Sequence, residues 1–130
     1  MSGVRQLRDV VTADDYEAAV AFHRDVVGMP AEAAYESEDG RVSILAAGRV
    51  TLEIADRNQA GFIDRVEVGR RVAGHVRSAL EVDDSRLATR RAMEGGASLV
   101  ADPTRTPWNS LNARLEGAAG LQQTLFEELG

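Results

Sequence analysis

The sequence predicts an α+β domain in which two βαβββ modules form one cupped, mixed sheet. Both halves of the chain show the same order of predicted elements, and in each half turn signals separate three consecutive strands after a helix. The halves also share a register of charged residues, because Arg8 precedes Asp14 by six residues and Arg77 precedes Asp83 by six. A repeated element order with a repeated register indicates two copies of one structural unit.

The first module covers residues 1–55 and opens with a short strand, LRDVV. A helix is predicted to begin at Asp14, which can act as the N-cap with Glu17 as its capping-box partner, and to end at Gly28. Turn signals at Asp39-Gly40 and Ala47-Gly48 then separate the next three strands. These strands are AAYESE, RVSILAA and RVTLEIA.

The second module covers residues 75–130 and begins with the strand HVRSALEV. A helix from about Ser85 to Glu94 follows and stops at Gly95-Gly96. Three strands are then predicted near ASLVAD, SLNARLE and LQQTLFEE. Residues 56–74 are interpreted as a polar linker with some strand-like alternation in FIDRVEV, so that the single domain covers residues 1–130.

Two such modules side by side place a polar concave face, suited to a ligand, opposite a convex face covered by helices. A ferredoxin-like sandwich is the competing fold, but its βαββαβ unit does not supply three strands in a row after each helix. The concave face is therefore the predicted site.

Composition excludes several classes of function. A formal net charge of -6 with scattered arginines argues against nucleic-acid binding, and no apolar stretch is long enough for a membrane span. The absence of cysteine excludes disulfides, thiol catalysis and zinc held by thiolates. With no signal-peptide pattern in MSGVRQLRDV, the expected location is the cytoplasm.

Three segments resemble the vicinal oxygen chelate superfamily, which includes glyoxalase I, bleomycin-binding proteins and extradiol dioxygenases. They are AVAFHRDVVGM, ALEVDD and PWNSLNARLEGAAGLQQTLFEE, in the order and at the separations typical of the family. The resemblance covers nearly the whole chain and implies the glyoxalase/bleomycin-resistance fold. It is far less specific for activity.

The resemblance also implies four metal-ligand positions, one on each of four strands, which fall here on Arg8, Glu53, Arg77 and Thr124. Only Glu53 is an ordinary ligand, and a guanidinium repels a cation. A metal site is therefore predicted to be lost, and no cofactor is expected. His75 with Glu53 is the fallback for a divalent metal, since a two-residue shift along the strand would bring His75 toward the concave face.

The leading hypothesis is a binding protein that holds a small organic ligand, acidic or planar, in the cup. Arg8 and Arg77 would anchor an acidic or carbonyl-rich group, and Trp108 could cover a planar one or simply pack in a core or dimer. Alternation on the last strand puts Gln122 and Thr124 on the ligand-binding face together with Phe126.

Whether the protein is an enzyme stays open, with binding favoured. One alternative is a metal-free enzyme in which Glu53 is the general base; another is a metal-dependent lyase or dioxygenase of the same superfamily. A third is a partner-binding subunit whose cup is vestigial. The resemblance further implies a homodimer, and Leu125, Phe126 and Leu129 belong either to its interface or to the core.

Overall fold

The computed structural model describes residues 3–130, and its eight strands are β1 (Gln6–Thr12), β2 (Ala31–Ser37), β3 (Gly40–Ala47), β4 (Val50–Ala55), β5 (Val76–Glu81), β6 (Ser98–Arg105), β7 (Ser110–Glu116) and β8 (Gln122–Glu128). The helices are α1 (Tyr16–Ala21), α2 (Arg57–Glu67) and α3 (Ser85–Glu94), with a short 3-10 turn at Ala118–Gly120. One mixed sheet has the order β2-β3-β4-β1-β5-β8-β7-β6. The predicted fold class is confirmed.

The two modules meet at the middle of this sheet. β1 runs parallel to β4 and β5 runs parallel to β8, while β1 and β5 pair antiparallel and join the modules. Val10 on β1 is the partner of both Glu53 on β4 and Arg77 on β5, and Glu53 is the partner of Ile44 on β3. Directly paired residues share one face of a sheet, so these four side chains form a row across the concave face.

Two helices cover the convex face, as predicted. Val20 of α1 packs with Leu45 and Ile54, which are both essentially inaccessible to solvent. α3 covers a second cluster, formed by Val82, Ala113, Leu115 and Leu125. Burial of each such aliphatic side chain contributes about 1.5–3 kcal/mol, so these layers hold the sheet in its curved form.

The last strand belongs to the core of a single chain. Leu125 is buried in the cluster beneath α3, and Phe126 is buried on the other face with Val10 and Ala79. Leu129, beyond the strand, is 37% exposed. The alternative that placed Leu125 and Phe126 in a dimer interface is therefore wrong.

The start of α1 differs from the prediction by one residue. Asp15, and not Asp14, is the N-cap, and its carboxylate accepts a hydrogen bond from the backbone N–H of Ala18 at 3.1 Å. Asp14 instead accepts a hydrogen bond from Nε of Arg57, and Glu17 pairs with an arginine of β3 rather than completing a capping box. The two aspartates are adjacent in sequence, and in the structure the arginine of α2 contacts the first while the second caps the helix.

α1 continues as a π-helical segment, Phe22–Val27, and ends at Gly28 as predicted. The φ angle of Gly28 is 92°, in the left-handed region that favours glycine at a helix C-terminus. No helix within residues 3–130 is long and apolar enough to cross a membrane.

The interpretation of residues 56–74 as a strand-like linker is wrong, because this stretch contains α2. Asp56 caps the helix by accepting a hydrogen bond from the N–H of Gln59 at 2.8 Å, and Phe62, Ile63 and Val66 recur at helical spacing. α2 lies on the concave side of the sheet, where it packs against β3, β4, β6 and β7. The cup thus has a helical cover.

Candidate functional site

A cavity of about 500 Å³ lies between α2 and the concave face of the sheet. Its floor is built by β1, β2, β3, β4, β5, β7 and β8, and its cover by α2. A volume of this size falls in the range of small-molecule sites, about 300–1,000 Å³.

Most of the predicted ligand-binding residues lie in the lining of this cavity. The ones found there are Arg8, Glu53, Arg77, Trp108 and Thr124. Gln122 is on the same strand face but outside the lining, because its side chain donates to the carbonyl of Val72 at 2.8 Å and accepts from Arg114 at 3.1 Å. Its amide is thus used to hold the segment that follows α2.

Glu53 is a largely buried carboxyl group on the cavity floor. Its side chain is 14% exposed, and its charged contact is Nη1 of Arg8 at 3.8 Å, too long for a hydrogen bond. Within residues 3–130 no group donates a hydrogen bond to it. Burial raises the pKa of Glu53 above its ordinary value, and the nearby charges of Arg8 and Arg77 only partly offset this effect.

Arg77 reaches the same cavity from β5 and is likewise buried. Its Nη1 donates to Oγ1 of Thr124 at 2.8 Å, the one hydrogen bond of this guanidinium to any part of the chain that the structure describes. Burial lowers the pKa of Arg77, while Glu67, Glu53 and Asp64 act to raise it, and a guanidinium stays protonated in proteins. Arg77 therefore presents a positive charge with unused donors to the cavity.

Arg8 is more exposed and its charge is shared. Its guanidinium stacks over the ring of Phe126, 4.6 Å from the centroid, and its Nε donates to Gln6 at 3.1 Å. It also lies 3.8 Å from Glu53 and 3.9 Å from Glu128. Arg8 is thus less available to a ligand than Arg77.

A buried ionic cluster fixes α2 over the sheet. Arg114 of β7 has a fully buried side chain and donates to Asp64 at 2.8 Å and to Glu67 at 2.8 Å, both on α2. We call these three residues the α2 anchor. Asn112 and Thr124 also donate to Glu67, at 2.8 and 3.0 Å, which satisfies its carboxylate further.

Asp64 also organises the chain between α2 and β5. One carboxylate oxygen accepts hydrogen bonds from the backbone N–H groups of Val72 and Ala73 and from Nη1 of Arg71. Burial by itself would raise the pKa of Asp64, but these donors together with Arg114 outweigh it and lower the pKa. The carboxylate is therefore firmly ionised, as an anchor between two segments requires.

The aromatic wall of the cavity comes from two distant parts of the chain. Trp108, between β6 and β7, lies with its ring centroid 6.2 Å from that of Phe62 on α2. Sequence reasoning found Trp108 but missed Phe62 and Ile63, together with all of the α2 anchor. The available signal was Asp56 with a glutamine three residues later, a helix-start pattern ahead of apolar residues at helical spacing.

The lining does not fit a divalent metal. At the positions that the resemblance assigns to metal ligands, Glu53 is accompanied by the guanidinium groups of Arg8 and Arg77 and by the hydroxyl of Thr124. His75 is exposed ahead of β5 and is outside the lining, so the fallback pair with Glu53 is not brought together there. Across residues 3–130 no cluster of three or more His, Cys, Asp or Glu side chains could hold a metal ion.

Comparison with known proteins identifies the fold and family. A sequence model of the Glyoxalase/Bleomycin resistance protein/Dioxygenase superfamily matches residues 6–122. No functionally curated protein matches the sequence.

Several solved structures share the fold at low sequence identity. Methylmalonyl-CoA epimerase from Mycobacterium tuberculosis is 20% identical with a TM-score of 0.69, over 98% of this chain and 90% of that one. A Streptomyces coelicolor methylmalonyl-CoA epimerase variant in complex with 2-nitronate-propionyl-CoA is 16% identical with a TM-score of 0.69, over 98% and 100% of the two chains. A superfamily member from Vibrio splendidus 12B01 is 14% identical with a TM-score of 0.66, over 97% and 100%. At such identities the likeness shows the fold alone.

Proposed function

The chain belongs to the Glyoxalase/Bleomycin resistance protein/Dioxygenase superfamily, and from this premise we propose that it binds a small organic acid in the cavity beneath α2 without using a metal. The ligand has an acidic group that contacts Arg77 and an apolar, planar body that fills the rest of the cavity.

Arg77 carries this proposal. It is a buried cation with one hydrogen bond to the described part of the chain, to Thr124, and it faces an open volume. A buried charge is costly unless it is paired and hydrogen-bonded. An anionic ligand group would supply the missing acceptors, and a planar acid group matches the fork of guanidinium donors.

The remaining walls suit an apolar body. Ile44, Val10 and Phe126 contribute floor, while Phe62 and Trp108 face them from the covering side. Aromatic side chains that oppose an aliphatic floor favour a flat ligand, because both of its faces can then be buried.

The test uses two fluorescent probes that differ in one charged group: 1-anilinonaphthalene-8-sulfonate and its uncharged analogue N-phenyl-1-naphthylamine. The sulfonate is expected to bind at least tenfold tighter than the uncharged probe and to quench Trp108, the only tryptophan in the chain. Arg77→Met should remove this preference. Arg90→Met, on the exposed face of α3, is the matched control and should retain it.

Equal binding of both probes by the unchanged protein would contradict the proposed anionic ligand. So would a preference for the sulfonate that survives in Arg77→Met. Circular dichroism melts of the two variants establish that each is folded, so that a lost preference is not an unfolding effect.

A second candidate function is supported by the raised pKa of Glu53. A buried carboxylate with a raised pKa is a better base than an exposed one, and Arg77 nearby could stabilise an anion that forms when a carbon acid loses its proton. In this reaction Glu53 takes the proton from the carbon next to a carbonyl, an enolate forms beside Arg77, and Glu53 returns a proton to the same carbon.

This enzyme function is tested by exchange in D₂O. Methylmalonyl-CoA is the probe, because it is the ligand of an epimerase among the solved structures that share this fold. Proton NMR would show loss of the signal from the acidic carbon in the presence of the protein, and Glu53→Gln should abolish the exchange. If the signal decays no faster than in buffer, the catalytic role of Glu53 fails for this substrate, while the binding proposal stands.

We also infer that the protein forms a homodimer, which the superfamily resemblance implied. Exposed apolar side chains at the end of the first helix, Phe22, Val26 and Val27, are consistent with a covered surface. Light scattering on a size-exclusion column should give about twice the monomer mass of 14.0 kDa. A mass equal to the monomer across the usable concentration range would contradict the dimer.

A further inference from the structure

Glu53 and Arg77 have opposite charges but are held apart by one strand. Both are register partners of Val10, from opposite sides, so their Cα atoms are separated by two strand spacings, about 10 Å. Within residues 3–130 no ion pair of 4.0 Å or less joins them. Val10, Glu53 and Arg77 all line the cavity, so its open volume extends over Val10 between a carboxyl group and a guanidinium.

The chemistry of this space restricts what can fill it. An acid group here can accept hydrogen bonds from Arg77, but an ionised Glu53 on its other side would repel it. Protonation of Glu53 removes that repulsion and supplies an O–H donor to the acid group. Burial lowers the cost of this protonation, because it disfavours the charged form of Glu53.

We propose that the acid group of the ligand lies over Val10 between Arg77 and a protonated Glu53, so that the ligand anion and one proton enter the cavity together. This inference rests on the proposed binding function and specifies how the same site recognises its ligand. It assigns to Glu53 the role of a hydrogen-bond donor to the ligand.

The other charged groups around Glu53 do not replace this proton. Arg8 on β1 lies 3.8 Å away but is about a third exposed and shared with Glu128 of β8. Glu67 on α2 is held by Arg114, and it acts to raise the pKa of Glu53 further. β3 contributes the uncharged Ile44.

The sign of the pH dependence follows directly. Below the pKa of Glu53 the carboxyl group already holds its proton, and affinity for an anion that does not itself titrate is independent of pH. Above that pKa a proton must be taken up on binding, so affinity falls by up to tenfold per pH unit. A permanently ionised sulfonate probe isolates this effect in the protein.

The experiment is calorimetric titration of the protein with 1-anilinonaphthalene-8-sulfonate from about pH 4 to pH 9, a range that covers the ordinary pKa of a glutamate and the values above it. Parallel titrations in two buffers with different ionisation enthalpies count the protons taken up. Proton uptake is expected to rise from zero toward at most one proton per probe as the pH passes the pKa of Glu53 in the free protein, with a matching fall in affinity. Glu53→Gln keeps a donor at this position, so it should bind with no uptake and with constant affinity.

The outcomes separate this inference from the function on which it rests. If the sulfonate binds through Arg77, with no proton uptake and with constant affinity in the unchanged protein, the proton-coupled arrangement is overturned and the binding function stands. If the sulfonate shows no dependence on Arg77, both fail. Uptake that persists in Glu53→Gln would assign the proton to another group and also overturn the inference. The titration of the unchanged protein shows whether proton uptake accompanies binding, even if the Glu53→Gln variant does not fold.

Discussion

Replacement of Arg114 by Met removes the cation that joins α2 to the sheet and leaves Asp64 and Glu67 as buried carboxylates. All three side chains are at most 2% exposed. Breaking a buried ion pair by removal of one partner costs about 3–5 kcal/mol, because the remaining charge loses its compensation. We expect a loss of this size here, since the donors that remain compensate the two carboxylates only in part. Asn112 and Thr124 still donate to Glu67, and Arg71 with two backbone N–H groups still donates to Asp64.

The expected loss converts to a large shift in melting temperature. For a chain of 130 residues, an unfolding entropy of about 2.1 cal/mol/K per residue gives a shift of roughly 11–18 °C. Thermal and urea melts followed by circular dichroism measure it, with agreement between probes as the check on two-state unfolding. Arg90→Met, an exposed arginine on α3, is the control and should change stability by at most about 0.5 kcal/mol.

Two further variants keep this prediction testable. Arg114→Lys retains the charge but loses the forked geometry, so its loss should be intermediate if Arg114→Met does not fold. The triple variant Arg114→Met, Asp64→Asn, Glu67→Gln removes all three charges and should regain part of the stability. Two results would contradict the role of the α2 anchor. One is a loss of less than about 1 kcal/mol in Arg114→Met. The other is a loss in the triple variant equal to the sum of the losses in the three single variants, because independent residues would add in this way.

Three other predictions concern acid stability, backbone geometry and metals. The pKa of Asp64 is lower in the folded protein than its ordinary value of 3.8, so its ionised carboxylate stabilises the fold above pH 3.8. This contribution is lost as the pH falls through the lower, folded value. In Asp64→Asn the free energy of unfolding, measured by urea unfolding between about pH 2 and pH 7, should therefore depend less on pH at the acid end. Gly40→Ala should lower the free energy of unfolding by about 1–3 kcal/mol more than Gly48→Ala. Both glycines have positive φ, but only at Gly40 would a Cβ overlap the backbone of Gln59 near the start of α2. Equal losses in urea melts would contradict this close approach. Titration with Ni, Zn, Mn or Fe(II) should leave the melting temperature unchanged within about 1 °C, and stoichiometric metal that disappears in Glu53→Ala would refute the reading of the site as unsuited to metal.

The elements that could be predicted are those whose signals are local. α3 occupies Ser85–Glu94 as predicted, because its cap, its apolar spacing and the following Gly95-Gly96 all lie within a few residues of one another. The placement of Glu53 and Arg77 on the concave face follows from alternation along their strands and from the family resemblance. Their separation by Val10 could not be predicted, since it depends on how β1 pairs with two strands distant in sequence.

The sequence by itself determined the repeated βαβββ order and the concave face, and its resemblance to the superfamily implied the arginines at the positions of metal ligands. Only the tertiary structure decided that α2 covers the cup and that Arg114 is buried, because the carboxylates that compensate this arginine lie about fifty residues earlier in the chain. In the strand SLNARLE, Arg114 resembles any arginine on a solvent-exposed strand face. Its environment depends on long-range charge pairing, for which an unaligned sequence contains no local signal, and that pairing gives the cavity its cover and its shape.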